Sequence, residues 1–185
     1  SGYTLSHWLA TNQIPINFHS LLHNVKTDVG VVGGGIAGLS VAYHLVKRGK
    51  NVVLLDDGEL LSGETGRTTA HLMSAIDDKY FEIENMFGVD YSKLVYQSQA
   101  RAIDTIEQII AQENIQCHFT RLDGYLFGGS DGDDAMLDKE YAAARRAGFF
   151  DAEMVGSIPG RESLGRAIKF PRQGQFDAVK YCLGL

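Results

Sequence analysis

One stretch of the sequence, residues 28–56, constrains the fold more than any other. It reads DVGVVGGGIAGLSVAYHLVKRGKNVVLLD, and the segment 33–38 within it fits the pattern G-x-G-x-x-G. A short apolar run, 29–32, precedes the glycines and is typical of a parallel strand buried on both faces. The stretch therefore predicts a strand, a glycine turn, a helix and a second strand, which together form a unit that binds the pyrophosphate of a dinucleotide.

The three glycines of the pattern have separate roles in such a unit. Gly33 allows the sharp turn out of the strand, Gly35 leaves room for a pyrophosphate at the backbone, and Gly38 lets the helix pack closely. Apolar residues at helical spacing predict a helix from about Ile36 to Arg48, with Gly49 as the left-handed residue past its end. The free N–H groups and positive dipole end of this helix would hold the pyrophosphate.

The predicted second strand, 51–55, ends in an acid. Asp56 lies 18 positions past the last glycine, near the roughly 20 at which such units carry a ribose-binding carboxylate. An acid there accepts hydrogen bonds from the adenosine ribose hydroxyls and disfavours a 2′-phosphate. This spacing is compatible with either FAD or NAD.

A second segment, 62–71, reads SGETGRTTAH and is dense in glycine and hydroxyl residues. One interpretation is that its hydroxyls and backbone N–H groups bind phosphate oxygens, with Arg67 adding positive charge. The other is a polar loop that caps the next helix through Thr68 or Thr69. The spacing alone leaves both open.

Composition excludes several classes of partner. The net charge is −6 and no basic cluster is present, so we expect neither nucleic acid nor a membrane as partner. No apolar run approaches the roughly 18 residues of a membrane span, and no signal peptide is visible. The two cysteines, Cys117 and Cys182, have no metal-ligand spacing and indicate buried thiols in a reducing cytoplasm.

The rest of the chain is predicted to be mixed α and β. Residues 3–27 read as an irregular lead in which Trp8 packs on the body of the protein. The predicted helices are 93–114, 135–147 and 177–185; the predicted strands are 116–120 and 125–127, paired as a hairpin, and 167–170. The acidic loop 128–134 and the pair Asp77–Asp78 are interpreted as loop and cap rather than metal sites.

The segments 28–56 and 62–71 together resemble the FAD-dependent oxidoreductases of the D-amino-acid oxidase type, the family of glycine oxidase and sarcosine oxidase. The runs SHWLAT, GETGRTTAHL and LDGYLF are similar to a subgroup that often carries a C-terminal Rieske iron–sulfur domain. NAD dehydrogenases generally lack the second segment, so the resemblance favours FAD. It implies hydride transfer from a C–H beside nitrogen, in a small amine or amino-acid substrate, to flavin N5.

Carried over to this sequence, the resemblance implies three groups of cofactor-binding residues. The pyrophosphate group comprises Gly33, Gly35, Ile36, Ala37 and Gly38. The ribose group is Asp56, with Asp57 where relatives often have Lys or Arg. The third group, which lines the pyrophosphate and approaches the isoalloxazine, comprises Gly63, Thr65, Gly66, Arg67, Thr68, Thr69 and Ala70. Some relatives attach flavin covalently through a histidine, but Arg67 takes the aligned position, so we expect non-covalent FAD. Catalytic residues are not assigned; Arg67 and His71 are the nearest candidates.

The predicted fold class is α/β. We expect a Rossmann-like FAD-binding domain, incomplete after its βαβ start, with part of a smaller α+β substrate domain. The predicted divisions are a lead (1–27), the FAD-binding portion (28–130), and a partial substrate-domain segment with a return helix (131–185). Relatives are about twice as long, so the sequence resembles an N-terminal half, and its unpaired sheet edge offers a route to self-association. The alternatives are an NAD-dependent dehydrogenase and a non-catalytic fragment that binds FAD weakly.

Overall fold

The computed structural model describes residues 5–14, 18–128 and 134–185, and they form an α/β structure as predicted. The helices are α1 (His7–Thr11), α2 (Ile36–Lys47), α3 (Tyr80–Phe87), α4 (Val89–Gln112), α5 (Asp134–Ala147) and α6 (Ala178–Gly184). The strands are β1 (Val29–Val32), β2 (Val52–Leu55), β3 (His71–Leu72), β4 (Thr120–Phe127), β5 (Glu153–Val155) and β6 (Ala167–Gln175). Most of the predicted acidic loop, 129–133, lies outside the described residues.

The chain divides into two compact units that are interleaved along the sequence. Unit 1 comprises the described residues up to Ala70, together with Ile109–Phe119 and Phe176–Leu185. Unit 2 comprises His71–Gln108 and Thr120–Gln175. None of the helices in the described ranges combines the length and apolar character that a membrane span needs.

Unit 1 is built around the predicted strand–helix–strand. β1 and β2 pair in parallel, from Val29 opposite Val52 to Val32 opposite Leu55, with α2 connecting them. At the end of α2, Gly49 has a φ of +75°, and its N–H donates to the carbonyl oxygen of Val46 at 2.8 Å. This is the left-handed cap expected for a glycine at that position.

The sequence predicted an irregular N-terminal lead, but part of this segment is helical. It contains the short helix α1, because the Ser6 hydroxyl accepts a hydrogen bond from the Leu9 N–H at 3.2 Å and so caps the first turn. The side-chain amide of Asn12 donates to the Asp177 carboxylate at 3.0 Å. Asp177 in turn caps α6, since its other oxygen accepts from the Lys180 N–H at 3.0 Å.

Unit 2 contains a four-stranded antiparallel sheet with β6 at its centre. β4 pairs along one edge of β6, and β3 and β5 pair along the other. The predicted hairpin at 116–127 is wrong: β4 is one continuous strand with a bulge between Leu122 and Gly124. The predicted strand 167–170 continues to Gln175. At the bulge, Pro171 and Arg172 of β6 lie opposite the single residue Asp123, so Pro171, which has no N–H to donate, stands outside the regular ladder.

The core of unit 2 lies where α3 and α5 pack with β6. Its centre is aromatic: the rings of Tyr80 and Phe149 meet edge to face with centroids 5.3 Å apart. The Tyr80 hydroxyl donates to the carbonyl oxygen of Ser74 at 2.6 Å. Burial on this scale stabilises aromatic side chains by roughly 1.5–3 kcal/mol each.

Both cysteines are free and buried, as expected from the sequence. They lie in unit 1, Cys182 within α6 and Cys117 before β4. Burial raises the pKa of the Cys182 thiol to about 12, so this thiol stays protonated and unreactive at neutral pH.

Candidate functional site

The glycine turn joins β1 to α2 in a conformation that few other residues adopt. Gly33 has a φ of +106°, and its N–H donates to the carbonyl oxygen of Leu55 at 2.7 Å. Gly38 faces back across the turn, where a Cβ would overlap the carbonyl oxygen of Gly33 and lie 3.4 Å from the Val31 side chain. The close packing of α2 against the turn therefore requires glycine at position 38.

Asp56 lies directly after β2 and is held against the same turn. One carboxylate oxygen accepts from the Gly34 N–H, and the other accepts from the Gly58 N–H at 3.0 Å. These two bonds hold the pKa of Asp56 below its ordinary value, the Gly34 bond contributing most. The side chain is therefore ionised at neutral pH, with lone pairs left for two hydroxyl groups. Asp57 is exposed beside it.

The second segment reaches the start of α2. The Thr65 hydroxyl, in a short 3₁₀ helix (Glu64–Arg67), accepts a hydrogen bond from the Ile36 N–H at 3.0 Å. The Leu61 N–H also donates to the carbonyl oxygen of Gly34, at 3.3 Å. Thr65 and Gly66 are buried. The glycine turn and the 62–70 loop therefore form one continuous surface.

The alternative in which this loop caps the next helix is wrong. That helix, α3, begins at Tyr80 with Lys79 as its cap residue. The Thr68 hydroxyl instead accepts from the Ala70 N–H at 3.1 Å and closes a local turn, while Thr69 is exposed.

Arg67 folds back on its own loop. Its guanidinium donates to the carbonyl oxygens of Ser62 and Gly63, the latter at 3.0 Å, and the side chain is exposed. The charge is thus placed over the 62–63 carbonyls, where it neutralises their partial negative charge. The loop ends at Ala70, whose carbonyl oxygen accepts from the Phe176 N–H at 3.3 Å.

Three residues of α1 and its cap also contact the loop, and the sequence pattern did not identify them as part of the site. The Ser6 hydroxyl donates to the carbonyl oxygen of Gly66, and the Trp8 indole N–H donates to that of Thr68 at 2.7 Å. Leu9 packs against Gly66. A serine directly before the apolar run HWLA is the signal that could have revealed this helix.

The catalytic candidate His71 belongs to unit 2. It begins β3 opposite Gln175 and is exposed. In the part of the chain that the structure describes, no group of three or more His, Cys, Asp or Glu side chains could hold a metal ion.

The residues in unit 1 fit a dinucleotide cofactor. The first turn of α2 has N–H groups without intrahelical acceptors, at Ala37 and Gly38, next to a glycine turn that leaves the backbone accessible. A Cβ on Gly35 would lie 3.1 Å from the Thr65 hydroxyl, inside the gap between the turn and the loop. The ionised Asp56 is bonded to the same turn through Gly34 and keeps lone pairs that can accept from hydroxyl groups.

The chain is similar to known proteins in sequence and in fold. Residues 28–185 match the model of the family described as DAO, FAD dependent oxidoreductase. YhfW of Bacillus subtilis (strain 168), whose name describes it as a Rieske 2Fe-2S iron-sulfur protein, is 29% identical over 180 residues, covering 97% of this chain and 35% of the relative. Gamma-glutamylputrescine oxidoreductase of Escherichia coli (strain K12) is 28% identical over 153 residues, covering 83% of this chain and 36% of the relative.

Among solved structures, the crystal structure of glycine oxidase from Bacillus cereus superposes with a TM-score of 0.62 at 18% identity, covering 86% of this chain and 43% of that one. This likeness shows a common fold. As these coverages show, the chain spans less than half the length of each of these three proteins. The family match extends over most of the sequence, and the chain belongs to the DAO family of FAD-dependent oxidoreductases.

Proposed function

We propose that unit 1 binds FAD non-covalently and that the chain acts within an oxidoreductase that oxidises a C–H bond beside nitrogen in a small amine or amino acid. The observation that carries the proposal is the hydrogen bond between Thr65 and the Ile36 N–H. It joins the glycine turn, which is common to FAD and NAD proteins, to the second loop, which the FAD oxidoreductases possess.

The chain's own residues would hold the cofactor at three points. The N–H groups of Ala37 and Gly38 would donate to the pyrophosphate, assisted by the positive end of the α2 dipole. Asp56 would accept from the adenosine ribose hydroxyls. The exposed backbone and hydroxyl of Thr69 would face the cofactor beyond the pyrophosphate.

The chemistry that FAD supplies is acceptance of a hydride from the substrate carbon. The substrate class is supported by the names of two relatives, which act on gamma-glutamylputrescine and on glycine. The absence of a histidine from position 67 supports non-covalent attachment. A cytoplasmic location is part of the proposal, supported by two free, buried thiols.

Self-association is also part of the proposal. Among the described residues β1 pairs only with β2, which leaves an open sheet edge. Val32, at the end of β1, is 86% exposed, so this strand also carries an exposed apolar side chain. Open edges of this kind pair with other chains.

The experiment is a titration of the purified chain with FAD, monitored by flavin fluorescence, for the wild type and two variants. Gly35→Val places a side chain in the pyrophosphate gap and should abolish binding. Gly156→Val is the matched control, because Gly156 is exposed and no atom lies within 4 Å of its Cβ position; it should bind FAD like the wild type.

Three results would contradict the proposal. Binding of FAD by Gly35→Val with wild-type affinity would show that the cofactor is not held at this turn. Saturable binding of NADH by a wild-type chain that takes up no FAD would favour an NAD-dependent dehydrogenase instead. A chain that binds neither would be the non-catalytic alternative.

A further inference from the structure

The helix α1 and its cap residue bind the 62–70 loop at two carbonyl groups. The Ser6 hydroxyl donates a hydrogen bond to the carbonyl oxygen of Gly66, and the Trp8 indole N–H donates one to the carbonyl oxygen of Thr68 at 2.7 Å. Rotation of the Ser6 side chain would also break the cap of α1, because its oxygen accepts a hydrogen bond from the Leu9 N–H at 3.2 Å. Both contacts connect residues 60 positions apart in sequence.

The direction of these carbonyls fixes the direction of the neighbouring N–H groups. In a trans peptide the C=O of one residue and the N–H of the next point in opposite directions. With the Thr68 carbonyl turned toward Trp8, the Thr69 N–H points away from α1. No backbone carbonyl of a described residue accepts a hydrogen bond from that N–H, which leaves it as a donor for a ligand.

Glycine at position 66 lets α1 approach this closely. A Cβ there would lie 2.5 Å from the carbonyl oxygen of Leu61 and 3.0 Å from the Leu9 side chain. The other end of α1 is also fixed, since Asn12 donates to Asp177 at 3.0 Å. The loop is thus held from α1 at 66 and 68 and from Phe176 at 70.

From these contacts we infer that α1 is part of the cofactor site, and that Ser6 and Trp8 are positioning residues that orient the 66–69 backbone for FAD. The inference rests on the proposed function. Neither side chain touches the cofactor; each reduces the ordering cost of the loop that does, which increases affinity by preorganisation.

If α1 positions the loop, loss of an α1 contact should change the binding of the two halves of FAD differently. The adenosine and its adjoining phosphate are held by Asp56 and the glycine turn, whose hydrogen bonds do not involve α1. AMP presents only that half. Loss of an α1 contact should therefore weaken FAD binding and leave AMP binding unchanged, whereas general unfolding of unit 1 would weaken both.

The test compares the dissociation constants of FAD and AMP for four proteins: wild type, Ser6→Ala, Ser6→Thr and Trp8→Phe. Trp8→Phe removes the N–H donor and keeps an aromatic ring, and Ser6→Thr keeps the hydroxyl. We expect Ser6→Ala and Trp8→Phe to weaken FAD binding about tenfold, the effect of losing one neutral hydrogen bond. AMP should bind all four proteins alike, and Ser6→Thr should resemble the wild type for both ligands.

Each other outcome overturns the inference. If the wild type binds FAD and both Ser6→Ala and Trp8→Phe bind it equally well, α1 does not position the loop, although the proposed function stands. If FAD and AMP weaken together in Ser6→Ala and Trp8→Phe, the role of α1 is general stability. If the wild type takes up no FAD, the proposed function fails and this inference fails with it.

Discussion

Thr65→Val tests the contact on which the site depends. The Thr65 side chain is 8% exposed and its hydroxyl is the acceptor for the Ile36 N–H at 3.0 Å. Valine keeps the shape and removes the acceptor, so an N–H in the first turn of α2 is left without a partner beside a buried side chain. An unsatisfied donor of this kind costs about 1–3 kcal/mol, and loss of a helix-capping hydroxyl about 1 kcal/mol, so we expect unit 1 to lose about 1–2 kcal/mol of unfolding free energy.

Urea unfolding followed by tryptophan fluorescence measures this loss. Trp8 is the single tryptophan of the chain and lies in unit 1, with its indole bonded to Thr68, so its emission reports on that unit. Thr65→Ser keeps the hydroxyl and is the control, expected within about 0.5 kcal/mol of the wild type. Equal unfolding midpoints for Thr65→Val and Thr65→Ser would refute the reasoning, because the hydroxyl would then not cap α2.

Two further predictions concern unit 2 and assembly. Glu140 is 2% exposed and accepts from the Phe81 N–H at 3.2 Å at the start of α3, and burial raises the pKa of its carboxyl. Its contribution to stability should therefore be fully present below the ordinary glutamate pKa and be lost as pH rises through the raised pKa. Unfolding followed by circular dichroism from about pH 4 to about pH 8 should show this loss in the wild type and not in Glu140→Gln. Parallel pH profiles for the two proteins would contradict the prediction. Val32→Lys, which puts a charge on the exposed β1 position, should shift sedimentation of the chain toward monomer, and a wild type that is already a monodisperse monomer would contradict self-association.

The part of the fold that sequence predicts best is the part held by local constraints. The pattern at 28–56 placed β1 correctly and the end of α2 within one residue. Its decisive residues act within one supersecondary unit: Gly33 turns the chain with φ of +106°, and Gly49 caps α2. A sequence pattern can encode such structure because the interacting residues all belong to one short stretch, 28–56.

The failures arose where distant pairing decides the structure. Asp123–Gly124 has the composition of a hairpin turn, but Asp123 forms an ion pair with Lys169 at 3.1 Å, and a Cβ on Gly124 would lie 2.7 Å from the Met73 side chain. The glycine leaves room for the end of the Met73 side chain and does not reverse the chain. Antiparallel pairing with β6, whose partner residues lie 40 to 55 positions further along the chain, keeps the strand continuous.

The candidate site shows the same division. The placement of the glycines and Asp56 at one turn could be predicted from spacing, since they lie within one supersecondary unit. The position of the 62–70 loop could not, because it depends on the bond from Thr65 to Ile36 and on the contacts from α1. The lead segment offered only a serine before a short apolar run, a signal too weak to indicate that it reaches the loop.

The central claim is that unit 1 holds FAD non-covalently between the glycine turn and the 62–70 loop. The most direct measurement is the absorbance spectrum of the purified chain after incubation with FAD and removal of free cofactor, followed by acid precipitation and chromatography of the supernatant. The account predicts a flavin spectrum in the wild type and in Gly156→Val, complete release of FAD into the acid supernatant, and no flavin retained by Gly35→Val. Retention of flavin by Gly35→Val, flavin that stays with the precipitated protein, or a wild type that retains none would contradict it.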